Sequence, residues 1–297
     1  MFTDTYLQAF DSVVRQFGIT AYLCGGTVRD LLINRTPRDV DVVLSARVFE
    51  AAAAFAAKLD VPHFILDEER QVARIVCGGG NWDFTGYRNG TIEGDLQKRD
   101  FTINAMAIPW QTFFPNRNVT SVLDPFDGLK DLKKKLIVPV TEESLRDDPL
   151  RMLRAFRIQA ELKFEIDPSV LREIDRSYSL IANVAVERVA DELDRVFLQA
   201  DSASMWKALG KTPLLEALFP EMAPMKNCEQ GGYHHLDVWS HSILALEKLE
   251  SFLPQLSNFF PKHSVALQEY LNATPGTLER MRILKWAALL HDIGKPP

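Results

Sequence analysis

The sequence predicts an α+β head built on a small mixed sheet, followed by a helical second half. Between Ala21 and Thr85, short strand-like runs alternate with helical patterns. From Thr141 onward helical spacing takes over. At the centre lies Tyr22–Ser45, YLCGGTVRDLLINRTPRDVDVVLS, which reads as strand, double-glycine turn, helix, turn and second strand. These shifts suggest a head over residues 1–140, an all-α neck and body over 141–227 and a further helical segment over 228–297.

In chain order, Leu7, Phe10, Val13, Val14 and Phe17 recur at helical spacing and predict an amphipathic first helix. Strands are expected at Ala21–Cys24 and Val40–Leu44, then an alanine-rich helix over Val48–Leu59. Further strands follow at His63–Leu66, Val72–Val76 and Trp82–Thr85, the last two joined by a turn at Gly78-Gly79-Gly80. Thr141–Ser144 and Asp147-Asp148-Pro149 look like helix starts, with Met152, Leu153, Phe156 and Ala160 as an apolar stripe. Helical patterns continue through Glu187–Leu198 and Ser204–Leu218, and a polar link at Cys228–Tyr233 precedes another helical stretch.

Of the 297 residues, 46% are hydrophobic and 25% charged, the balance of an ordinary globular chain. No apolar run is long enough to span a bilayer, and the N-terminus lacks the pattern of a signal peptide. Cys24, Cys77 and Cys228 match no metal or redox spacing, so a reduced, cytoplasmic setting is expected. A net charge of -6 argues against non-specific coating of nucleic acid, yet leaves room for a local basic groove.

Four constellations carry chemistry. Asp39 and Asp41 are two apart on a strand, so they share a face and can hold a hard cation of the Mg²⁺ type. Gly25 and Gly26 let backbone N–H groups approach an anion just before the helix bearing Arg29. Turn and carboxylates together are what metal-dependent nucleotidyl transfer requires, although such a triplet also occurs at solvated strand ends. Asp83 is a candidate third carboxylate. The second stretch, Lys98–Met106, fits two readings equally: a structural ion pair at an element's edge, or Arg99 on a phosphate or ribose with Asn104 on nearby polar groups of a nucleotide.

The third is Asp147-Asp148-Pro149-Leu150-Arg151, extended by Arg154 and Arg157. Members three apart share a helical face, but the stripe winds about 60° per step. Asp148, Arg151 and Arg154 are therefore expected to face one pocket, with Arg157 reaching elsewhere. An acceptor carboxylate beside a guanidinium suits the Watson–Crick edge of a base, while a salt-bridged helix face has the same spacing.

Taken together, GGTVRD with DVD, RDFTINAMA, DPFDGLKDL (Asp124–Leu132), DDPLRMLRAFR and ERVADEL (Glu187–Leu193) resemble the class II tRNA nucleotidyltransferase and bacterial poly(A) polymerase family. The resemblance covers roughly residues 20–220. It implies a polymerase-β-like head, with Asp39 and Asp41 binding Mg²⁺ and Gly26 and Arg29 on the triphosphate. Arg99 would touch the sugar or phosphate, Asp148 and Arg151 the incoming base, and Arg154 and Arg157 would complete the nucleotide pocket. The implied partners are CTP and ATP and the 3′ end of tRNA, with pyrophosphate released and no membrane involved. The family usually carries Glu where this chain has Asp147. It often inserts an arginine-rich loop before Arg99, where this chain has only Gly86–Lys98, and that difference points toward CC addition while leaving full CCA synthesis, CMP followed by AMP, open.

Fourth, His241 in WSHS and His291-Asp292 in ALLHDIGKP resemble the HD-type metal phosphohydrolase signature, which suits a second divalent metal. That signature ordinarily has a later Asp, so the resemblance implies a partial, truncated HD segment with an incomplete site. His234 and His235 are further candidate contributors. Poly(A) polymerase and an HD-type phosphohydrolase with a nucleotide- or RNA-binding front half are the competing readings.

Overall fold

Residues 3–231, 235–274 and 278–296 are described by a computed structural model, and the chain divides into two units, Met1–Ser144 and Leu145–Pro297. Helix α1 (Asp4–Phe17) starts at Thr3, whose hydroxyl accepts from Tyr6 N–H, and buries Leu7, Phe10, Val13 and Val14. Phe17 stays half-buried, with the Arg47 guanidinium 4.4 Å from its ring centre.

The elements that follow are β1 (Ala21–Cys24), α2 (Gly25–Leu32), β2 (Val40–Leu44), α3 (Val48–Leu59), β3 (His63–Asp67), β4 (Val72–Cys77) and β5 (Gly80–Gly86). Then come α4 (Ile92–Gln97), β6 (Ala107–Pro109), α5 (Trp110–Phe113) and α6 (Gly128–Lys134). The six strands form one mixed sheet in the order β3-β4-β5-β2-β1-β6. Only β2 and β5 run parallel, with Asp41 opposite Asp83; the other neighbours are antiparallel. The β4–β5 turn is two residues, Gly78 and Gly79, because Cys77 already pairs with Gly80. Both have positive φ (62° and 77°), as a tight hairpin of this twist demands.

Strand alternation gives the sheet two characters. On one face Trp82 and Phe84 pack with Phe10 of α1, Phe55 of α3 and Trp110 of α5, at ring-centre distances of 4.6–5.8 Å. On the other, Cys24 and Val43 cluster with Ile92 and Leu96 of α4 and with Ala105 and Ala107. Asp41 and Asp83 alternate with the aromatic-side residues and so belong to this second face.

The second unit is helical apart from the two-residue strand Glu165–Ile166. After the short α7 (Ser144–Asp147) come α8 (Leu150–Leu162), α9 (Pro168–Ser177), α10 (Val186–Phe197), α11 (Ala203–Leu209) and α12 (Leu214–Leu218). The sequence pattern over Ser204–Leu218 reads as one helical run, but α11 and α12 are separate. Pro213 supplies no N–H and disfavours helical geometry at the residue before it, so the chain restarts there. Last are α13 (Val238–Phe252), α14 (Leu256–Phe259), α15 (Ser264–Asn272) and α16 (Arg280–Leu290). Phe197, Trp206, Phe219 and Trp286 form the aromatic core of this unit. Ile283 and Leu284 on α16 remain 46% and 37% exposed, so one apolar side of that helix is thinly covered. Among the described residues, no helix is long and apolar enough to cross a membrane.

Candidate active site

The head site grows from the junction of β1 and α2. Gly25 opens α2 with φ 65°, and Cys24 before it offers the first turn no side-chain cap. The backbone N–H groups of that turn are thus left to an external acceptor. A Cβ on Gly25 would stand 2.6 Å from Arg99 Nη1 and 2.8 Å from Asp41 Oδ2. One missing side chain therefore makes the space into which a carboxylate and a guanidinium both turn.

Thr27, 1% exposed, locks this junction. Its hydroxyl accepts from Asp41 N–H at 2.7 Å and donates to the Asp39 carbonyl at 3.2 Å. Asp39 lies just ahead of β2, and its Oδ1 accepts from both the backbone N–H and the side-chain amide of Asn81, at 3.1 and 2.9 Å. Burial pushes the Asp41 carboxyl above its ordinary range; the charges of Asp83 and Asp39 add to that, outweighing Arg99 and Arg29. Negative charge gathered beside an open glycine cradle, with oxygen donors alone, fits a hard divalent cation. Asp83, the candidate third carboxylate, faces the right way but is held bidentately by Arg74 at 2.7 and 2.8 Å.

Arg29, 6% exposed, lies over Gly26: a Cβ there would be 3.6 Å from Arg29 Nη2. Its Nε donates to Asp30 Oδ1 and its Nη1 to Asn104 Oδ1, both at 2.9 Å. The Asn104 amide in turn donates to Asp100 Oδ1 at 3.0 Å. Both ends of this amide thus make a bond inside the protein, and its oxygen holds Arg29. The DPFDGLKDL stretch supports the same region. Asp124 accepts from the N–H groups of Gly128 and Leu129, and buried Asp131 accepts from the Thr102 hydroxyl at 2.8 Å. The Cys24 thiol, burial foremost, is pushed up to about 12, which makes it an inert part of the wall.

The structure brings Gly25, Gly26, Arg29, Asp39, Asp41, Arg99 and Asn104 together in the first unit. Asp148, Arg151, Arg154 and Arg157 lie in the second unit, at and along α8. Asp148 Oδ2 accepts from Arg188 at 2.8 Å, while half-buried Arg151 sits in the first turn of α8. Arg157 does not diverge from Arg154 as helical winding suggests. Arg154 Nη1 and Arg157 Nε take the two oxygens of Glu192, at 2.9 and 2.5 Å. Long side chains span the 60° offset, and Glu192, 4% exposed on α10, is their common anchor. Burial alone would raise the Glu192 carboxyl; Arg157 and Arg154 overcome that and hold it below its ordinary range.

At the far end, Asp292 Oδ2 lies 3.6 Å from His241 Nε2 and 3.2 Å from His291 Nε2. Among the described residues this is the one group of three ligand atoms all within 4.8 Å of one another. His291 Nδ1 is 3.0 Å from the Ala288 carbonyl, which can only accept, so Nε2 keeps its lone pair for a metal. Lys295 Nζ also reaches Asp292, at 2.7 Å. His235 is exposed and outside the group; His234 lies outside the described residues.

A glycine-opened helix facing paired carboxylates on a mixed sheet defines the nucleotidyltransferase class. Residues 21–91 and 85–138 match the family described as the poly A polymerase head domain, and 163–226 the probable RNA and SrmB-binding site of polymerase A. The chain is 34% identical over 281 residues to the A-adding tRNA nucleotidyltransferase of Deinococcus radiodurans, covering 93% of this chain and 57% of that protein. It is 39% identical over 187 residues to the CC-adding tRNA nucleotidyltransferase of Geobacter sulfurreducens, covering 62% of this chain and 42% of the relative. The chain thus spans about half the length of the curated relatives it matches. Its fold matches a tRNA nucleotidyltransferase solved with a primer tRNA and an incoming ATP analogue, with a TM-score of 0.70 at 23% identity over 95% of this chain and 75% of that one. The chain belongs to the class II tRNA nucleotidyltransferase and poly(A) polymerase family.

Proposed function

We propose that the protein adds CMP to tRNA 3′ ends without a nucleic-acid template, using Mg²⁺ and releasing pyrophosphate. The observation that carries this reading is the convergence of Asp41 and Arg99 on the space left by Gly25. The free N–H groups at the start of α2 and the Arg99 guanidinium hold the triphosphate. Asp39 and Asp41 hold Mg²⁺, which when bound supplies charge neutralisation on the departing pyrophosphate and activation of the attacking hydroxyl. The tRNA 3′-oxygen then forms a bond to the α-phosphorus as the bond to the bridging oxygen breaks.

Base choice is assigned to Asp148 and Arg151. Arg154 and Arg157 brace the helix that carries them through Glu192. Restriction to C is supported by the segment Gly86–Lys98. It folds as a 3-10 turn (Arg88–Gly90) and the short α4 capped by Thr91, with Ile92 and Leu96 buried, where relatives of wider specificity are expected to carry a mobile loop. The test is to react a tRNA lacking its 3′ CCA with CTP, ATP or both, and to sequence the ends. Two added C residues are expected; long tails from ATP alone would replace this reading with poly(A) polymerase.

The His241, His291 and Asp292 cluster favours a second site, for a divalent transition metal in an HD-type segment. Cobalt titration followed by its visible absorption tests it: the spectrum should develop in the wild type and be lost in His291→Ala.

A further inference from the structure

Arg99 is held as a fork with a defined direction. Its Nε and Nη2 both donate to one oxygen, Asp95 Oδ2, at 3.1 and 3.0 Å. The remaining nitrogen, Nη1, is the one turned toward the space beside Gly25. Asp95 is 2% exposed, and its other oxygen lies 3.7 Å from Nε of Arg88, a side chain 48% exposed. Asp95 is itself fixed. It belongs to α4, which starts at the Thr91 cap and is packed through Ile92 and Leu96 against Cys24 and Val43, on the Asp41 side of the sheet.

We propose that Asp95 is a positioning residue for nucleotide binding, presetting the Arg99 guanidinium to receive the triphosphate of the incoming nucleotide. The assignment rests on the reading of the head as a nucleoside triphosphate site. A guanidinium with free rotation must be ordered by each arriving nucleotide; one clamped through two nitrogens arrives with its third already aimed. Arg88 lies against the second oxygen and so leaves Oδ2 to Arg99.

The experiment compares wild type, Asp95→Asn, Arg99→Met and the double variant. Its readouts are tRNA-primed CMP incorporation, inhibition by pyrophosphate and thermal unfolding. Asp95→Asn is expected to raise KM for CTP about tenfold, the size of one charge-assisted contact, and to weaken pyrophosphate inhibition in step, with KM for tRNA unchanged. The double variant should match Arg99→Met, because Asp95 acts through Arg99. Wild-type KM for CTP in Asp95→Asn overturns the assignment, as do effects that multiply in the double variant. If Asp95→Asn alone does not fold, the double variant, which lacks the buried guanidinium, still decides against Arg99→Met. A wild-type protein that incorporates no nucleotide and ignores pyrophosphate overturns the nucleotide-site reading itself, and Asp95's assignment with it.

Discussion

Thr27, itself shut off from solvent, takes the backbone N–H of Asp41 into its hydroxyl at 2.7 Å. The same hydroxyl reaches the Asp39 carbonyl, so one side chain sets the spacing of both carboxylates. Thr27→Val keeps the shape and removes both bonds. Two buried polar groups then lack a partner, and unfolding in urea should show a loss of about 2 kcal/mol. Nucleotide incorporation should fall by more than the folded fraction does, because the carboxylates lose their register.

Gly25→Ala separates site from fold. The residue has φ 65° and its Cβ would press on both Arg99 and Asp41. Destabilisation of about 1–2 kcal/mol is expected from the backbone conformation alone. The larger effect should be on incorporation, at least about a hundredfold by the cost of misplacing groups by an ångström. Circular dichroism beside the assay distinguishes the two.

Asp41→Asn should stabilise the protein while disabling it. The Asp41 carboxyl is held above its ordinary range, by burial first. A raised folded-state value means that the ionised form is penalised on folding, and that penalty is in force once the pH exceeds the folded value. Melting in EDTA at neutral pH should show a gain of about 1 kcal/mol for the variant, with incorporation lost.

Glu192 gives the opposite sign. Its carboxyl is held below its ordinary range, so its ion pairs with Arg154 and Arg157 stabilise fully above that range. The contribution fades as the pH falls through it toward the folded value. Glu192→Gln should destabilise by about 3 kcal/mol at neutral pH. It should also flatten the acid limb of stability against pH, which urea titrations across mildly acidic pH would show.

The sequence made Asp39, Asp41 and the glycine turn legible because strand alternation and helix-start chemistry are local rules. Thr27 escaped because a threonine in a short helix has no pattern of its own; only the approach of β2 gives it two partners. The capture of Asp83 by Arg74 depends on the β4–β5 register, which the turn fixes. The convergence of Arg154 and Arg157 is not legible in helical winding, because arginine reaches across the offset and Glu192 lies 35 residues beyond Arg157. Pro213 was a readable break within an otherwise continuous helical pattern.

The alternation of β2 and β5 also determines where this head can grow. Adding one residue inside either strand would exchange Asp41 for Val42, or Asp83 for Phe84, between the wet and the aromatic sides. Length can therefore vary where no alternation is kept, as in the connection from Gly86 to Arg99. That connection itself carries Asp95. A lineage that altered its nucleotide choice by lengthening this connection would have to find Arg99 a new clamp at the same time.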